Sequence, residues 1–186
     1  MNRIGILGDI GSGKSYVARN FGYPVFNADN EVAQLYQRNK KIFIKLKKSL
    51  PKYIQSFPIK KAEISNAILA NKNNLNKIVR IIHIEVRKRM NLFLRKNKNK
   101  KIVILDIPLL LENKINKKKD ILVFVQSKKS EIIKRLKKRK NYNQKLLKKF
   151  KSIQYSTNYK KKKSDYIIKN NFTKLKINDQ IKSILI

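Results

Sequence analysis

Residues 8–15 read Gly-Asp-Ile-Gly-Ser-Gly-Lys-Ser, a full match to G-x-x-x-x-G-K-[S/T], and few short motifs restrict a fold so tightly. The spacing has a physical cause. Glycines let the chain turn so that successive N–H groups point inward at phosphate oxygens. The N-terminus of the following helix adds partial positive charge. The segment Asp9, Ile10, Gly11, Ser12, Gly13, Lys14, Ser15 and Tyr16 would then surround a polyphosphate. Lys14 would reach the β- and γ-phosphates, and the Ser15 hydroxyl would bind Mg²⁺. The match has force only between a strand and a helix, and both flanks comply. NRIGIL at 2–7 reads as a buried strand, and 14–21 as a helix. ATP and Mg²⁺ are therefore the expected cofactors. One residue is awkward: Asp9 puts a carboxylate into the loop, where it has to point outward or pair with a lysine.

Strand-like and helix-like segments alternate along the rest of the chain. PVFN at 24–27 reads as a second strand, and Asp29 as a candidate cap for the helix after it. Residues 40–71 carry helical patterning broken near Pro51 and Pro58. From Lys72 to Leu94 a stripe of Leu75, Val79, Ile82, Val86, Met90 and Phe93 predicts a long helix. KIVIL at 101–105 and ILVFV at 121–125 read as buried strands, and DYII at 165–168 as a last one. Helical patterns cover 128–139, a segment around Leu146, Phe150 and Ile153, and the final residues. Lys- and Asn-rich stretches near 96–101, 113–119 and 158–163 read as surface connections. Alternation of this kind predicts an α/β fold: a three-layer α/β/α sandwich around a mostly parallel, five-stranded sheet of P-loop type.

Composition excludes several classes. Without cysteine there is no disulfide framework and no thiolate metal site. His83 is the single histidine, which removes multi-histidine metal sites. No apolar run reaches the length of a membrane span, and the glycine-rich turn interrupts the apolar residues after Met1, unlike a signal peptide. A cytoplasmic protein is expected. The net charge is +36, from 47 Lys plus Arg against 11 Asp plus Glu, which attracts polyanions. Lysines are spread over the whole chain, and abundant Lys, Asn and Ile also fit an AT-rich genome. Specific nucleic-acid binding is not expected.

Beyond the loop, further segments resemble the dephospho-CoA kinase family. IGILGDIGSGKS resembles its I-G-L-T-G-G-I-G-S-G-K-S, and VFNADNEVA its V-x-D-A-D-x-x-A. IIHIEVR resembles I-x-H-P-x-V-R, and LDIPLLLE resembles D-x-P-L-L-F-E. RLKKR at 135–139 resembles R-L-x-x-R, and SDYIIKN at 164–170 resembles A-D-x-V-I-x-N. These occur in the family's order. The resemblance implies a single kinase domain over 1–186, with a helical acceptor-binding insertion at 30–95 and a lid at 139–160. It implies small-molecule substrates, ATP and dephospho-CoA.

The resemblance also implies residue roles, each beside a plainer alternative. Asp29 matches the acid proposed as general base and could equally cap a helix. Asp106 ends a strand where an acid holds Mg²⁺ through water and meets substrate, or it simply shapes the turn before Pro108. Pro108, Leu109 and Leu110 fall on the acceptor side. Glu112 binds substrate or caps a helix. His83 and Arg87, with Arg80 on the same face, meet the acceptor or form a solvated surface. Arg135 and Arg139 contact ATP phosphates and neutralise transition-state charge, or belong to a basic surface helix.

The sequence departs from the family at several places. Asn27 stands for an aspartate, Leu7 and Asp9 for a Thr and a Gly, and Ile84 for a proline. Lys61 and Phe150 stand where arginines are expected. Two rival readings remain at this level: another small-molecule kinase of nucleoside monophosphate type, and a basic nucleic-acid-binding ATPase.

Overall fold

A computed structural model describes residues 1–140, 142–172 and 174–185, the side chains of Lys174 and Leu175 apart. Five strands, β1 (Asn2–Gly8), β2 (Val25–Asn27), β3 (Ile102–Asp106), β4 (Ile121–Gln126) and β5 (Tyr166–Lys169), form one sheet in the order β2-β3-β1-β4-β5. All four pairings are parallel. The helices are α1 (Lys14–Asn20), α2 (Ala28–Arg38), α3 (Lys40–Ser49), α4 (Lys61–Ala70), α5 (Lys72–Lys96), α6 (Lys129–Lys137), α7 (Gln144–Ser152), α8 (Thr157–Lys162) and α9 (Lys174–Leu185).

A parallel sheet needs apolar cover on both faces, and the strand sequences provide for it. Ile4 and Ile6 of β1 point to one face, into a cluster with Val17, Ala18 and Phe21 of α1 and Ile177 and Ile181 of α9. Gly5 faces the other way, where an added Cβ would lie 2.5 Å from Leu110 Cδ2 and 3.0 Å from Leu122 Cδ2. The absent side chain at Gly5 is thus filled by Leu110, which is fully buried. Arg3 is buried as well. Its guanidinium pairs with Asp120 at 2.8 Å and donates to the Ile115 carbonyl at 3.1 Å, tying the start of β1 to the loop before β4.

The chain divides into two compact units. The first comprises 1–27, 94–142 and 153–186 and holds the sheet; the second comprises 28–93 and 143–152 and is helical. The core of the helical unit draws on Leu35, Ile42, Leu46, Ile54, Ile68, Leu75, Ile82 and Met90. Arg89 of α5 pairs with Glu31 of α2 at 2.9 Å, and the buried Asn74 amide donates to Ala67 O at 2.9 Å across the α4–α5 junction. On α5 the buried stripe runs through Ile78, not Val79, while Phe93 is only half-buried.

The stretch 158–163, expected as a surface connection, is mostly helix α8. The Ser156 hydroxyl caps it by accepting from Tyr159 N at 3.2 Å. Lys160 at its centre is 1 % exposed. An ammonium so deeply buried needs partners, and it has two: Gln154 Oε1 at 2.8 Å and Glu112 Oε1 at 3.4 Å.

Candidate active site

Parallel strands place all their carboxyl ends on one edge of the sheet, the edge where open α/β folds bind ligands. Gly8, Asn27, Asp106, Gln126 and Lys169 end the five strands. Whatever follows each of them is gathered along that edge.

The phosphate loop is braced from both sides. Gly11 has φ 90°, and a Cβ there would meet Leu136 Cγ at 3.0 Å and Ile132 Cγ2 at 3.2 Å, both on α6. Gly13 also has φ 90°, and a Cβ there would collide with the Asn170 amide and lie 3.2 Å from the Phe172 ring. Only glycine meets both demands, positive φ and close approach. The Ser12 carbonyl accepts two side-chain hydrogen bonds, from Asn170 Nδ2 at 2.8 Å and Ser127 Oγ at 2.9 Å. Asn170 is 4 % exposed, and its Oδ1 accepts from Phe172 N at 2.8 Å. The loop's shape is therefore held by the ends of β4 and β5. Sequence reasoning assigned no role to Asn170 or Ser127. The asparagine's position directly after a buried strand was the available signal.

Lys14 Nζ donates to Gly8 O at 3.1 Å and Asp9 O at 2.9 Å, so the ammonium sits at the loop it is expected to serve. Tyr16 N and Val17 N both bond to Gly13 O at 3.0 Å, starting α1. Asp9 neither turns to open solvent nor pairs with a lysine. Both of its carboxylate oxygens accept from the Thr157 hydroxyl, at 2.8 and 3.0 Å.

Asn27 and Asp106 are register partners at the ends of β2 and β3. Asn27 Nδ2 donates to Asp106 Oδ2 and, at 3.4 Å, to Ser15 Oγ. The amide thus bridges the two groups named as metal ligands. Asp106 is 2 % exposed, and a buried carboxylate demands such a donor or a cation. A hydroxyl and a carboxylate are hard oxygen donors, which suit Mg²⁺ held partly through water. No cluster of three or more His, Cys, Asp or Glu occurs among the described residues.

The PLL segment splits. Pro108 and Leu109 are half-exposed, whereas Leu110 is buried against Gly5. The placement of Leu110 on the acceptor side is corrected accordingly: its side chain belongs to the core. Glu112 Oε1 accepts from Tyr155 N at 2.8 Å and faces Lys160, so it anchors the chain after α7 and caps no helix. Arg135 lies on the exposed face of α6 with its guanidinium 3.9 Å from the Phe172 ring centroid, a cation–π contact. Arg139 is exposed just past the end of α6.

In the helical unit, Asp29 is exposed within the first turn of α2, where the helix dipole favours a carboxylate. It does not precede the helix as a cap would. On α5, Arg80 and Arg87 are exposed and His83 is half-buried. His83 Nε2 is buried and lacks a hydrogen-bond partner among the described residues. Burial, and then the nearby Arg87 charge, hold the imidazole below its ordinary pKa of 6.5. The depressed value fixes the sign of a stability effect. Neutral His83 contributes fully above pH 6.5, and stability falls as pH drops through the folded value. His83→Gln is expected to flatten that decline in urea titrations run at successive pH values. Solvent screening keeps the difference below about 1 kcal/mol.

The family model for dephospho-CoA kinase matches residues 2–176. The chain belongs to the dephospho-CoA kinase family. A dephospho-CoA kinase of Wolbachia pipientis wMel is 34% identical over 98% of this chain and 95% of its own length. That of Rickettsia felis is 31% identical over 100% and 97%. Among solved structures, TT1252 from Thermus thermophilus superposes with a TM-score of 0.75 at 24% identity, covering 99% of this chain and 96% of its own. A dephospho-CoA kinase from Campylobacter jejuni gives 0.60 at 20% identity, covering 99% and 95%. At those identities the superpositions support the fold alone; the family assignment rests on the sequence matches. No helix among the described residues is long and apolar enough to cross a membrane.

Proposed function

We propose that this protein transfers the γ-phosphate of ATP to the ribose 3′-hydroxyl of dephospho-CoA, giving CoA and ADP. The observation that carries the reading is the braced phosphate loop with Ser15, Asn27 and Asp106 beside it, in a chain of this family. A cytoplasmic setting, where ATP is abundant, is part of the proposal.

The backbone amides from Asp9 to Tyr16 hold the polyphosphate. Lys14 exchanges the carbonyls of Gly8 and Asp9 for β- and γ-phosphate oxygens, a stronger charge-assisted pairing. Ser15 directly, and Asp106 through water, hold Mg²⁺, which when bound neutralises charge on the β- and γ-oxygens. Asn27 orients Asp106 for this task. Asp29 accepts the proton of the 3′-hydroxyl as its oxygen bonds to the γ-phosphorus and the bond to the ADP oxygen breaks. Arg139 balances the charge developing on the transferred group, with Arg135 on the nucleotide. His83 and Arg87 serve the acceptor, as do Pro108 and Leu109. Residues 139–160 act as a lid that limits transfer to water.

Incubation of the purified protein with Mg-ATP and a panel of acceptors tests this. Mass analysis is expected to find one added phosphate on dephospho-CoA and little on nucleoside monophosphates. The reverse pattern overturns the acceptor assignment.

A further inference from the structure

Asp9 is an anion built into an anion-binding loop. Where the resembling family carries glycine, this chain carries a carboxylate. Its backbone is already committed, since Asp9 O accepts from Lys14 Nζ at 2.9 Å and from Ser12 N at 3.1 Å. The freedom left is in the side chain. A carboxylate that swung inward would accept from the same N–H groups and the same ammonium that a polyphosphate needs. It would also repel that polyphosphate directly.

The side chain does not swing inward, because both its oxygens accept from Thr157 Oγ1. Thr157 is itself held from several directions. It is the first residue of α8, next to the capping Ser156. Two residues earlier, Tyr155 N is fixed by Glu112 at 2.8 Å. Three residues later, the buried Lys160 is fixed by Gln154 and Glu112. An ion pair inside the sheet unit thus anchors the hydroxyl that restrains Asp9.

We propose that Thr157 is a positioning residue whose hydroxyl holds the Asp9 carboxylate off the phosphate-binding face of the loop, preventing an internal anion from competing with the nucleotide. The proposal rests on the reading of residues 8–15 as a nucleotide-phosphate site.

ADP titrations by calorimetry test it on four proteins: the parent, Thr157→Val, Asp9→Gly and the double variant. Thr157→Val keeps the shape and removes the donor. It is expected to weaken ADP binding about five- to tenfold at low ionic strength, and less in concentrated salt, which screens the repulsion. In the Asp9→Gly background the same substitution is expected to change nothing, because there is no carboxylate left to restrain. Thr157→Ser, which retains a hydroxyl, is expected to bind as the parent does. A merely structural loss at Thr157 would appear equally in both backgrounds and at both salt concentrations, and that result overturns the proposal. Parental affinity in Thr157→Val does so too. Failure of the parent itself to bind ADP would instead strike the phosphate-site reading, and the proposal with it.

Discussion

Lys14→Ala is expected to give a folded protein whose phosphoryl transfer from ATP falls by at least about 10³-fold in kcat/KM, the scale of losing one preorganised charge at a reacting oxyanion. Lys14 is half-buried at the loop and donates to the carbonyls of Gly8 and Asp9. Those carbonyls are partly served without it, since Asp9 O also accepts from Ser12 N. The loop's shape depends on the glycines and on the two side-chain donors to Ser12 O. Removing the ammonium therefore costs little fold stability. It removes the charge that follows the γ-phosphate as it leaves. Single-turnover transfer from labelled ATP measures the effect, and a thermal melt shows that the variant is folded. A variant folded and within tenfold of the parent would mean that residues 8–15 do not perform the transfer.

Much of the fold was legible because its signals are local. The phosphate loop is contiguous, the strands are short runs of Ile, Val and Leu, and all five lie within a residue or two of where the apolar pattern puts them. Contacts across the chain were not legible. In a chain with 47 Lys and Arg, lysine identity says nothing about which lysine is buried, so Lys160 and its helix were lost in a basic run. The reason Lys160 is buried lies at Glu112, far away in sequence. Leu110 shows the same limit from the other side. A motif placed it with the acceptor, whereas the space over Gly5 claims its side chain.

The scarce acids proved to be the informative residues, though mostly for architecture. Asp120 satisfies the buried Arg3, Glu31 pairs with Arg89, Glu112 with Lys160, and Asp165 accepts from Leu122 N at 2.7 Å. Asp9 is tied to Thr157 and Asp106 to Asn27. With so many carboxylates consumed by the fold, much of the positive surface has no internal counter-charge. That surface follows from composition and identifies no partner.

Asp29 differs from these acids in being exposed, and this bears on what its removal should do. Asp29→Asn keeps the side chain's size and its place in the first turn of α2. It gives up a dipole interaction of only about 0.3–1 kcal/mol. A residue serving only the helix would therefore show a slightly lower melting temperature and an unchanged turnover. A general base would show the opposite. Loss of the proton acceptor is expected to lower kcat by about 10²–10⁴-fold while ADP affinity stays at the parental value, since residues 8–15 bind the phosphates. Burst kinetics with dephospho-CoA and ADP titration, run on the same preparation, separate the cases. Parental kcat in Asp29→Asn would move the proton to another acceptor, and loss of ADP binding along with kcat would place Asp29 in nucleotide binding.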